Sequence, residues 1–335
     1  MKKNNRSYKG LIDLAQPRLG SKVIYKTDEF FGSAKRLISP EKPIWKEGVY
    51  DKNGKWMDGW ETRRKRSNGN DYLIIKLGKP GLIKNIDIDT SFFNGNQPEY
   101  ISLEGSNSVI LKNDRNVIWK KIIKKSKVFP NKNNQFKSTT NSTFKYIKLN
   151  IFPDGGIARL RLFGNIKVDS KKISKNKLIE LSSILNGASI IATNNEHFGK
   201  AENILAPGNS LNMGDGWETR RRRGKGKGKG YDWVIVKFGI PGIVKSIRVG
   251  TKHFKGNYPN HCTFQSSYVS NSKRFNMNQS NKWKYLTKKI KLRPNKIHNI
   301  KKNIIHKEIS NYIKLNIFPD GGISRIKIFG IKKDK

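Results

Sequence analysis

Cysteine is almost absent from this chain of 335 residues: Cys262 stands alone. One thiol cannot build an internal disulfide framework or a cysteine-rich zinc site, and its isolation suits a reducing compartment, so a cytoplasmic location is expected. Long apolar runs are missing too. No stretch approaches the roughly 18 residues of a membrane-crossing helix, and no membrane partner is expected. The N-terminus, MKKNNRSYKGLIDLAQ, is basic without the apolar stretch of a signal peptide. The five histidines show no metal-ligand spacing such as H-E-x-x-H. No G-x-S-x-G elbow, phosphate-binding loop or dinucleotide fingerprint occurs, and no loop has the ligand density of a calcium site. Neither metal nor cofactor is expected.

Acidic residues are few, 25 against 69 basic ones, which gives a formal net charge of +44. Such a balance invites a nucleic-acid partner. The lysines, however, arrive with asparagines in loop-like stretches: Lys120–Lys127, Lys171–Lys177, Lys284–Lys291 and Lys301–Lys307. Nothing resembles a zinc finger, a helix-turn-helix or an RNA-recognition sheet. A solvated surface drifted toward Lys and Asn accounts for the composition more simply, and nucleic acid is set aside. A field of this sign still draws in a small anionic ligand.

What is present is duplication. YIKLNIFPDGGI runs from Tyr146 to Ile157 and recurs unchanged from Tyr312 to Ile323, and DGWETRR occupies both Asp58–Arg64 and Asp215–Arg221. The opening segments Gly20–Gly32 and Gly187–Gly199 also align, as do Tyr72–Gly81 with Trp233–Gly242 and Ser91–Pro98 with Lys252–Pro259. A period this long means duplicated domains. The expected organisation is an N-terminal extension over 1–19, a first repeat over 20–164, a linker over 165–186, a second repeat over 187–330 and a tail over 331–335. Hydrophobic residues at 35% and aromatics at 10% suffice for two cores.

Within each repeat, short β-branched and aromatic runs such as Leu73–Leu77, Ile83–Ile88 and Tyr146–Ile151 are bounded by Gly, Pro and Asn. Asn94-Gly95 and Lys255-Gly256 read as tight turns. Leu160 and Leu162 alternate with Arg159 and Arg161, which predicts one buried and one polar face. The fold class expected is all-β, a sandwich in each half. Only Lys177–Leu185 reads as helical.

Charged residues inside duplicated blocks point to function, because a core gains nothing from them unless they are paired or put to work. Asp58, Glu61, Arg63 and Arg64 recur as Asp215, Glu218, Arg220 and Arg221. Neighbouring arginines cannot both point to one face of an extended segment. One can hold an acid internally while another grips a ligand carboxylate with its forked donors. An Arg–acid network stapling a loop is the competing reading for any single residue. Asp154 and Asp320 read first as turn caps, while Arg159 and Arg325 stay open between staple and ligand. His197 aligns with Phe30 and His253 with Phe92, so only the second repeat can supply an imidazole there. Glu29 and Glu196 occur in both copies.

Taken together, Trp56–Arg66, Met213–Arg223, Asp89–Asn96, Thr251–Pro259 and both F-P-D-G-G-I-x-R segments resemble allantoicase over nearly the whole chain. The resemblance implies two tandem jelly-roll sandwiches like galactose-binding domains, homo-oligomers, and cleavage of allantoate with water to ureidoglycolate and urea in purine catabolism. On that basis Arg220, Arg221 and Arg325 are expected to bind substrate, with Asp320 and Glu196 beside them. Glu218, Asp215 or His253 would handle protons. Asp58, Glu61, Arg63, Arg64, Arg159, Asp154 and Glu29 would form an equivalent first-repeat site or stabilise a degenerate one. The chain departs from the family at GNDY (Gly69–Tyr72), at the glycine–lysine loop Gly224–Gly230 and over Tyr268–Ser310. A non-catalytic jelly-roll module binding a small polar or anionic ligand is the alternative.

Overall fold

The computed structural model describes residues 8–108, 117–174, 176–223, 228–270, 275–276 and 283–333. The start of the N-terminal extension, residues 224–227 of the glycine–lysine loop and parts of the Lys-rich stretch after Tyr268 lie outside the described residues. The chain forms two compact units, one from Ile12 to Lys167 and the other from Val168 onward with the residues before Ile12. Each is an all-β jelly-roll sandwich, and the described helices are single 3₁₀ turns such as Ala34–Ile38 and Ala201–Leu205.

In the first unit one strand, Asp71–Asp89, serves both layers. Its first part pairs with Lys22–Lys26 and Tyr146–Ile151, and beyond these lie Tyr100–Ser106 and Lys120–Lys127. Its second part pairs with Arg159–Ile166 and Asn133–Lys137. The crossing falls at Gly78-Lys79-Pro80-Gly81, where proline supplies no ladder donor and a Cβ on Gly78 would sit 1.8 Å from the Leu19 carbonyl oxygen. Alternation then sends Leu73, Ile75, Leu77, Ile147, Leu149 and Leu162 into a fully buried core. The second unit repeats this plan around Asp232–Gly250.

Lys177–Leu185 is not helical. Leu178–Glu180 forms an edge strand on Phe329–Ile331, and Ile184–Asn186 is a single 3₁₀ turn. Apolar residues three apart (Leu178, Leu181, Ile184) imitate a helix, but the open edge of Arg325–Lys332 offers unpaired backbone groups that an extended segment satisfies. Ile12–Asp13 does the same for Phe163–Gly164 in the first unit.

The two duplicated blocks meet in space. Trp60–Glu61 pairs with Gly156–Ile157, and Trp217–Glu218 pairs with Gly322–Ile323. The glycine pair is needed there, because a Cβ on Gly156 or Gly322 would lie 1.9 or 2.0 Å from the buried ring of Phe93 or Phe254.

Candidate active site

The Trp217–Glu218 ladder fixes the backbone from which the arginines fan out. Asp320 accepts the Arg222 backbone N–H at 2.8 Å, and Thr219 Oγ1 accepts that of Gly321 at 3.1 Å. Arg222 turns inward: its Nη2 reaches Asp232 Oδ1 at 2.7 Å and its Nε donates to the Pro319 carbonyl at 3.1 Å. Extended alternation then turns Arg221 and Arg223 the other way. Both are exposed and line an open cleft of about 540 Å³ with Glu218, Asn257, Tyr258 and Asp320.

Glu218 is half-buried and held: Asn257 Nδ2 donates to its Oε1 at 2.6 Å. Arg221 and Asn257 also border an adjoining cleft of about 640 Å³ that contains His253 and Lys255. His253 Nε2 lies 2.9 Å from the Ser210 carbonyl oxygen. A carbonyl only accepts, so Nε2 carries the proton and Nδ1 is the acceptor of the neutral ring. Carboxylate, amide, guanidinium groups and imidazole thus converge on one face, a set that can grip a carboxylate and move a proton.

Other expected site residues make contacts within the fold. Arg325 is buried, with its Nη2 on Asp215 Oδ2 and its Nη1 on the carbonyls of Asp215 and Ser324. Asp215 Oδ2 also accepts the Leu211 N–H at 3.2 Å, so the pair staples the preceding loop to the strand. Arg325 and Arg159 each hold an acid within the fold; Arg159 pairs with Asp58 at 2.7 Å. This also corrects the polar face expected of Arg159–Arg161: Arg159 is 2% exposed, covered by the loop whose carbonyls it binds. Arg220 Nη2 contacts His197 Nδ1 at 3.3 Å, and neither residue lines the two clefts, though Phe198, against which His197 packs, lines the first. Glu196 and Glu29 cap backbone, accepting the N–H groups of Ala201 (3.2 Å) and Ala34 (2.9 Å).

The first repeat keeps the scaffold with altered contents. Asn96 donates to Glu61 at 2.7 Å, Asp154 accepts the Lys65 N–H at 2.7 Å, and Lys65 replaces Arg222 in reaching Asp71 at 3.1 Å. Glu61, however, is buried, and burial pushes its carboxyl above the ordinary glutamate value. Phe30 lies under the Arg63 guanidinium, and Phe92 lies beside Trp45. Arg63 also pairs with Asp28 at 3.1 Å, and Arg64 is exposed.

Sequence reasoning passed over Asn257 and Asn96, the inward pair Arg222–Asp232 and its copy Lys65–Asp71. A signal existed: the asparagines repeat within the aligned SFFNGNQP and KHFKGNYP segments. Among the described residues no group of three or more His, Cys, Asp or Glu side chains is placed to hold a metal ion.

A family model described as the allantoicase repeat matches residues 12–167 and again 179–333. A protein of Pseudomonas fluorescens named "Probable allantoicase" is 43% identical over 324 residues, covering 96% of this chain and 97% of its own. One of the same name from Photobacterium profundum is 41% identical, with 98% of both chains covered. The crystal structure of allantoicase from Saccharomyces cerevisiae superposes with a TM-score of 0.80 at 33% identity, over 97% of this chain and 94% of that one.

Proposed function

The chain belongs to the allantoicase family, and from that premise we propose that water cleaves allantoate to ureidoglycolate and urea in the second-repeat cleft. Membership makes the chain a hydrolase acting on a small molecule and favours this reading over a binding-only module. Allantoate carries a carboxylate on a carbon bearing two ureido groups. Arg221 and Arg223 bind the carboxylate, and Asn257 and Asp320 meet ureido N–H and C=O groups. The C–N bond to one ureido group breaks, the carbon gains hydroxyl from water, and the departing nitrogen takes the water's other proton. Glu218 relays that proton, with His253 Nδ1 as the second acceptor at the adjoining cleft.

The observation that carries this reading is the Asn257–Glu218 hydrogen bond between Arg221 and Asp320 in one open cleft. Residence in the cytoplasm, assembly as a homo-oligomer, a role in purine catabolism and the absence of membrane or nucleic-acid partners belong to the same proposal. So do repeat boundaries near 20–164 and 187–330. Urea release from allantoate tests the chemistry. Glu218→Gln should lower kcat by about 10²–10⁴-fold, while Glu61→Gln keeps it. Arg221→Ala should raise KM by about 10–100-fold, the value of a charge-assisted pair. Wild-type turnover in Glu218→Gln would end this assignment.

A further inference from the structure

Beside the Arg325–Asp215 staple the second unit has a small cavity of about 70 Å³, separate from the cleft that holds Glu218. Four basic side chains line it, Arg248, Lys252, Arg325 and Lys327, and no acidic one does. Two of its lining residues carry polar atoms left over by the fold. Among the described residues, Ser210 Oγ and Arg325 Nε are buried without a hydrogen-bond partner. The two residues are only 6% and 8% exposed, so bulk water does not readily satisfy them. An unmet buried donor is costly, and two of them among the residues lining one cationic cavity leave polar capacity there that the fold itself does not use.

The first repeat supplies an internal control. There Arg159 Nε donates to the Glu41 carbonyl at 3.0 Å, and Arg161 reaches the same carbonyl at 3.1 Å. Aligned positions replace Arg248 by Asp87, Gly250 by Asp89 and Lys252 by Ser91. Glu41 and Lys42 stand where Gly208 and Asn209 line the second-repeat cavity. The first copy is thus balanced in charge and closes on itself. In the second copy the Nε partner is lost at Gly208, where φ is +77°. The acids nearby are Asp215, paired with Arg325, and Glu180, whose carboxyl is pushed up by burial and pulled back by Lys327 and Arg248. Of the four, only Arg325 has a carboxylate ion pair among the described residues.

We propose that this cavity is a binding site for a tetrahedral oxyanion of phosphate size, distinct from the hydrolytic cleft. Its small volume, about 70 Å³, suits a compact anion. Positive charge left without an ion pair suits an anion carrying roughly two negative charges near neutral pH. The lining residues lie at two depths, Ser210 and Arg325 buried and Arg248 and Lys252 exposed, an arrangement that suits a three-dimensional anion rather than a planar carboxylate.

Calorimetric titration of the full chain with inorganic phosphate, with acetate as the planar control, tests the site. Phosphate should bind at one per chain and acetate far more weakly. Arg248→Asp, which installs the first-repeat residue, should weaken phosphate by about tenfold or more. Lys252→Ser should act in the same direction, and both positions are exposed enough to spare the fold. Arg221→Ala should leave phosphate affinity unchanged, which separates this site from the cleft. No phosphate binding by wild-type protein, equal binding of acetate, or loss in Arg221→Ala with retention in Arg248→Asp would each overturn the proposal.

Discussion

Glu61 and Glu218 occupy the same rung of two copies of one ladder, and each accepts from an asparagine, at 2.7 and 2.6 Å. Their surroundings differ, since Glu61 is buried and its carboxyl is raised above the ordinary value by desolvation. In that situation the folded state binds more protons than the unfolded chain between the ordinary and the raised value, so stability falls as pH rises through that window. Glu61→Gln should therefore gain stability over wild type as pH rises from about 4.5 toward neutrality, the window opening at the ordinary value, read as urea midpoints across pH. Asp58→Ala should behave oppositely at pH 7. It leaves Arg159 buried and unpaired, at a cost of about 3–5 kcal/mol, while kcat of the folded protein stays unchanged because the pair is a staple. Cys262 is buried with its thiol pushed up to about 12, so thiol reagents should label it only after unfolding.

At the scale of elements, the long strands Asp71–Asp89 and Asp232–Gly250 must pass from one layer to the other, and glycine permits the crossing. A Cβ on Gly239 would lie 2.2 Å from the Asn186 carbonyl oxygen and 2.7 Å from Gly187. Backbone on both sides cannot give as a flexible side chain would. Gly239→Ala should cost about 1–3 kcal/mol or more, visible as a lower Tm with cleft chemistry intact in the folded fraction. Strand existence was legible from alternation at Leu73–Leu77 and Tyr146–Ile151. The Leu178–Glu180 edge strand was not, because three apolar residues spaced by three carry the period of a helix, and only a neighbouring open edge overrules it.

For the whole molecule the dominant quantity is charge, +44 at neutral pH. Such a field concentrates anions at the surface, and salt screens it within about 10 Å at 0.1 M. kcat/KM for allantoate should therefore fall as sodium chloride rises from low millimolar to about 0.5 M, with kcat nearly constant. A flat profile would assign the lysines to solvation alone.

The sequence by itself determined the duplication, the β class, the family and the charged blocks that border the cleft, since each is written in local pattern and repeated spelling. Which arginine of a run faces a ligand is not local. Arg222 turns inward because Asp232 and the Pro319 carbonyl wait for it, 10 and 97 positions away, and Arg325 becomes a staple because Asp215 lies across the loop. The partners that choose a side chain's direction come together only when distant strands pair, so tertiary structure alone decided which charges work inside the fold and which face the cleft.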